Sequence, residues 1–148
     1  AGGAMMDRWL VVFSDLEPLP ADAPRSARAL HWALAGLLKP GFRHVFAARP
    51  LPGGYLVANP HSVGLDLLAM AGDQPIADGS PFTADDWWHG LQISIAAGRV
   101  AAVWAVANRP GPLRPRLLTC VSTVKHLLGC DGWAVTPFQL YRQLTKET

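Results

Sequence analysis

Charge is what this chain has least of: of 148 residues, 16% are Asp, Glu, Lys or Arg, and the net charge is +2. So small a basic excess, with no Lys/Arg block, argues against nucleic acid as a partner. Long hydrophobic runs are also missing. The most apolar window, Ile93 to Val106, is interrupted by Gly98 and Arg99, so no membrane span is expected. There are only two cysteines, Cys120 and Cys130. On one helix they would stand about 15 Å apart, whereas a disulfide needs Cα atoms within about 7 Å. Both read as free thiols, and with no nearby pair of ligands they predict no zinc site. The opening residues Ala1–Met5 read as a tag remnant ahead of a natural Met. They show no basic region, apolar region or cleavage site of a signal peptide. A cytoplasmic chain is the expectation, unless it is exported or packaged by another route.

Half of the residues are hydrophobic, enough for one core, and residues 6–148 are read as a single domain. The low charge and six tryptophans fit a surface partly covered by protein partners. Trp9 to Phe13 predicts a buried strand, and Ser14 to Pro24, with three prolines and three acids, a loop. Apolar positions 27, 30, 34, 37 and 38 predict a helix over Ser26–Leu38, ended by Lys39-Pro40-Gly41. Phe42–Arg49 and Tyr55–Ala58 read as a hairpin about the turn Leu51-Pro52-Gly53-Gly54. Val63–Met70 is open between a strand and a helical turn. Asp73 to Pro81 is a polar loop. Thr83 is the expected N-cap of a helix running to about Ala97, with Asp85 and Asp86 in the first turn, where the dipole favours acids. Gly98 breaks that helix and Arg99–Val106 follows as a strand. Asn108–Arg116 reads as an exposed connection. Thr119–Leu128 is a helix stopped by Gly129, and Thr136-Pro137 caps and starts the last one. The order predicts an α+β fold, an antiparallel sheet packed by helices.

Cys120 falls at the start of a predicted helix. Unpaired N–H groups and the dipole there favour a thiolate, which predicts a lowered pKa, and they can hold an oxyanion. The same position also suits a small buried core residue. A thiol nucleophile needs a base, usually a histidine held by a third polar group. His31, His89 and His126 read as packing or surface residues. His44 differs: alternation in Phe42-Arg43-His44-Val45-Phe46 puts it on one face with Phe42 and Phe46. A core histidine is the plainer reading, and a cysteine at a helix start favours a base. On the next strand Asn59 and His61 share parity, and either could orient an imidazole. Pro60 makes continuation of that strand to His61 doubtful, which favours Asn59.

Thr119-Cys120-Val121-Ser122-Thr123-Val124-Lys125-His126-Leu127-Leu128-Gly129 resembles the nucleophile helix of the circularly permuted papain-like superfamily. That group includes YiiX-like hydrolases, lecithin:retinol acyltransferase-like proteins and relatives of NlpC-type cell-wall peptidases. In permuted members the histidine strand precedes the cysteine helix, the order of His44 and Cys120 here. The stretch Trp133–Tyr141 looks like a tail found in small phage- or prophage-associated proteins of this type. The resemblance covers about residues 42–141. It implies a papain-like, permuted fold and a cysteine peptidase or amidase, with Cys120 as nucleophile, His44 as base and Asn59 orienting His44. It also implies no metal or organic cofactor, a peptide or peptidoglycan-like substrate, and a cytoplasmic or virion-associated location. A non-catalytic binding or virion-structural module and a thioester-forming acyltransferase share the same fold. This chain departs from the family in two places. Bulky Val45 and Phe46 follow the histidine where a small residue is common, and Asn59 stands where His or Glu is common. An amide orients an imidazole without adding charge.

Overall fold

The computed structural model describes residues 8–15, 21–61, 64–107, 120–130 and 132–146, with the side chains of Leu34 and His61 left aside. Thr119 and the connection Asn108–Arg116 therefore lie outside the described residues. The described chain forms β1 (Arg8–Ser14), α1 (Arg25–Leu37), β2 (His44–Leu51), β3 (Gly54–His61), β4 (Gly64–Ala71), α2 (Ala84–Ala96), β5 (Ala101–Val106), α3 (Cys120–Leu128) and α4 (Pro137–Lys146). The strands make one sheet in the order β4-β3-β2-β1-β5, antiparallel at every junction. The fold is thus α+β, and the segment left open between strand and helical turn falls on the edge strand β4 from Gly64 onward, Val63 lying outside the described residues.

Local chemistry explains the joints. The hairpin between β2 and β3 turns at Pro52-Gly53, where Pro pre-sets its own φ and Gly53 takes φ 77°, as the second position of a type II turn requires. Thr83 caps α2 with a full capping box: the Asp86 N–H donates to Thr83 Oγ1, and the Thr83 N–H donates to Asp86 Oδ2 at 2.8 Å. The Thr83 N–H and hydroxyl, both donating to Asp86 Oδ2, hold the Asp86 carboxyl below its ordinary range, helped by the charge of His89. Beyond α3, Lys125 Nζ donates to the carbonyls of Gly132 (2.7 Å) and Ala134 (3.3 Å), tying the link into α4 to the middle of the cysteine helix.

The pleat gives the sheet two faces. Trp9, Val11, Phe13, Val45, Ala47 and Ala58 point to one side and bury the stripes of α3 (Val121, Val124, Leu128) and α4 (Leu140, Leu144). Phe13, Phe42, Phe138 and Tyr141 close that core with tilted and edge-to-face ring pairs at 5.1–5.7 Å, and Lys39 lies over the Phe138 ring. Leu10, Val12, Ala48 and Val57 are buried on the opposite side, where α2 leans in through Trp88 against Tyr55 and Trp104. The helix α1 forms as its spacing predicts, yet Leu30, Trp32 and Leu37 on it remain exposed.

Candidate active site

His44 is the first residue of β2, later than the sequence expects. Arg43 N–H bonds the Ser14 carbonyl, and a bend precedes the strand. The bend carries Phe42 into the α3/α4 core, the same side as Val45. The predicted sharing of one face by Phe42, His44 and Phe46 is therefore not realised, because alternation counts only inside a regular strand. One residue before Val45, His44 turns to the other side of the pleat, as does Asn59, which follows the core residue Ala58.

There the two side chains meet. His44 Nε2 lies 2.7 Å from Asn59 Oδ1, partly buried. An amide oxygen only accepts, so Nε2 carries the proton and the lone pair of the neutral ring sits on Nδ1. Asn59 thus fixes both ring orientation and tautomer, leaving an unprotonated nitrogen to act as a base. The printed β2–β3 ladder ends at Ala47↔Ala58, so the His44–Asn59 bond spans the two strands beyond their last backbone pair.

Cys120 is the first residue of the nine-residue helix α3, which packs on β2 and β3. The sulfur is mostly buried, and the backbone N–H groups of Val45, Val121 and Cys120 itself face it. Two of these are donors at a helix start that have no intrahelical partner. The Val45 amide that faces the sulfur belongs to the residue after His44 in the chain. Among the described residues, however, the His44 ring bonds Asn59 and makes no hydrogen bond to the sulfur. Val45 and His44 point to opposite sides of the pleat.

The thiol itself departs from expectation. Burial pushes its pKa up, and the three backbone donors, which pull it down, do not offset that. The sequence predicted a lowered value from the helix start alone; how deeply a residue is packed cannot be read from its position at a helix terminus. Near neutral pH the resting group is the neutral thiol. Iodoacetamide labelling of Cys120 is accordingly expected to be slow at pH 7 and to rise with a midpoint above the ordinary thiol value of about 8.5. A midpoint below that value, read by peptide mass mapping of the native protein, would show a preformed thiolate.

The other histidines take no part among the described contacts of this site: His31 lies on α1, His89 is exposed on α2, and His126 lies six positions beyond Cys120 on α3. The His61 side chain is outside the described set. Among the described residues, no group of three or more His, Cys, Asp or Glu is placed to hold a metal, and no helix is long and apolar enough to cross a membrane. Sequence reasoning passed over Val45 as a donor. No local signal marks it, because the direction in which a strand amide points is set by pairing and packing. No family model matches the chain, and no curated protein or solved structure matches it either.

Proposed function

We propose that this domain is a cysteine-dependent hydrolase of amide or peptide bonds with a circularly permuted papain-like arrangement. The observation that carries the reading is the His44–Asn59 bond, with the amide of the next residue, Val45, facing the Cys120 sulfur, in a chain where the histidine strand precedes the cysteine helix. His44 Nδ1 takes the thiol proton as the Cys120 sulfur attacks the carbonyl carbon. The N–H groups of Cys120 and Val121 hold the resulting oxyanion. Collapse breaks the C–N bond, and the leaving amine takes the proton from His44. Water, deprotonated by the same ring, then cleaves the thioester, releasing the acid and restoring the thiol. No cofactor enters this scheme. The resting thiol makes no hydrogen bond to the ring, so the proton transfer belongs to the acylation step itself. Peptide, including the peptide of a cell-wall polymer, is the substrate class that the resemblance suggests. A cytoplasmic or virion-associated setting is part of the same proposal.

A second reading, a binding module that has kept the fold without the chemistry, draws on the same two facts, the upward thiol pKa and the missing sulfur–ring hydrogen bond. One experiment separates them. p-Nitrophenyl acetate, mixed with the intact protein, acylates a competent nucleophile whatever the natural substrate. A burst of nitrophenolate and an acetyl adduct on Cys120 support the hydrolase. An unmodified Cys120, or equal acetylation of Cys130, supports the binding module.

Asn59→Ala is expected to lower the burst rate about 10-fold to 100-fold by freeing the ring to rotate and change tautomer, with circular dichroism unchanged. Asn59→Asp should retain more of the rate, since a carboxylate also accepts from Nε2. His61→Ala should do little. If instead His61→Ala slows acylation and Asn59→Ala does not, the orienting role moves to His61.

A further inference from the structure

We infer that an open pocket at the other end of the β2–β3 hairpin binds a cationic group, an alkylammonium or guanidinium of the kind carried by lysine and arginine side chains. The cavity is about 530 Å³ and is lined by Leu51, Gly54, Tyr55, Asp73, Asp85 and Trp88, among others. His44 starts β2, whereas this pocket gathers around the turn that ends it, so the two sites lie at opposite ends of the strand.

Its chemistry is one-sided. The two charged side chains in the lining, Asp73 and Asp85, are both exposed carboxylates, and neither has a basic partner among the described residues. Ionised carboxylates only accept hydrogen bonds. Of the two side-chain donors in the lining, the Trp88 indole N–H and the Tyr55 hydroxyl, the hydroxyl is already used: it donates to Asp85 Oδ1 at 2.7 Å, and that bond pushes the phenol up to about 12. A ligand that matches this pocket must therefore bring donors and positive charge. A neutral sugar would find too few side-chain donors for its hydroxyl oxygens.

The carboxylate is also held in place. Asp85 N–H bonds the Gly72 carbonyl at 2.8 Å, and a Cβ on buried Gly72 would overlap both Asp85 oxygens, so glycine keeps the space that the carboxylate occupies. Capping does not require Asp85, since Asp86 completes the box with Thr83. Beside it Trp88 stacks on Tyr55, with ring centroids 5.0 Å apart and planes at 24°. Aromatic faces next to carboxylates suit a guanidinium or ammonium, which gains from both.

The test is an NMR titration of the intact protein with Nα-acetyl-arginine amide, set against Nα-acetyl-citrulline amide, its uncharged near-isostere. The arginine probe is expected to shift the amides of Gly53, Gly54 and Gly72 and the Trp88 indole, with an affinity that falls as salt rises. Citrulline should bind at least about tenfold more weakly, as should the arginine probe to Asp73→Asn, a change at an exposed turn that leaves the fold intact. Equal responses to both probes, shifts confined to other parts of the sheet, or unchanged affinity in Asp73→Asn together with Asp85→Asn would overturn the assignment. Cys120→Ala should bind the probe as the parent does, so the result stands apart from the thiol chemistry.

Discussion

Cys120→Ala is expected to abolish acyl transfer from p-nitrophenyl acetate and from any peptide amide the protein cleaves, a loss of at least about 10³-fold. In the proposed reaction the thioester forms on the Cys120 sulfur, and the flanking N–H groups act on an oxyanion only after it has formed. Alanine is the best helix former and Cys120 begins α3, so the variant keeps its helix and its unfolding midpoint stays close to the parent's. His44→Ala should slow the same step by about 10² to 10⁴, the usual worth of a positioned base. The pair should be strongly non-additive, because a base has nothing to deprotonate once the thiol is gone. Turnover by Cys120→Ala within tenfold of the parent would dismiss the nucleophile.

Phe13→Ala should be the most destabilising single change in the core. Phe13 is 1% exposed and has the largest of the fully buried side chains. Its ring sits edge-on to Tyr141 at 5.4 Å and tilted against Phe42 at 5.7 Å, joining β1, α4 and the bend before His44. Truncation removes transfer energy, leaves a cavity and strips two aromatic partners, about 3–5 kcal/mol in all. Domains of this size are stable by about 5–15 kcal/mol, so urea unfolding should move far toward zero denaturant. Because Phe42, two residues before His44, packs on this ring, acylation by the residual folded protein is expected to fall as well. A loss below about 1 kcal/mol would mean that α4 is not seated on this ring.

Much of the fold was legible along the chain. The stripe 121, 124, 127 and 128 marked α3, of which Val121, Val124 and Leu128 are buried, and Gly129 ended it with φ 62°. Thr83 with Asp86 marked the start of α2, and Pro52-Gly53 the hairpin. These signals are local: a cap, a turn or a period needs only residues a few positions apart. Other features were not legible. The exposure of Leu30, Trp32 and Leu37 on α1 contradicts what an apolar stripe suggests, since a period tells which residues share a face and not what lies across from it.

For the site, the sequence by itself determined the chemical parts: a thiol at a helix start, an imidazole at the head of an earlier strand, and an amide on the strand after that. Residue type and order fix which groups can attack, accept a proton or hold a ring. The tertiary structure decided how those parts meet. It ended the β2–β3 ladder at Ala47↔Ala58 and set His44 against Asn59 at 2.7 Å. It turned the Val45 amide toward the sulfur and buried the thiol deeply enough to raise its pKa. The physical reason is range. Hydrogen-bonding capacity belongs to single residues, whereas burial and cross-strand distance depend on segments 15 to 76 positions apart, which only packing brings together.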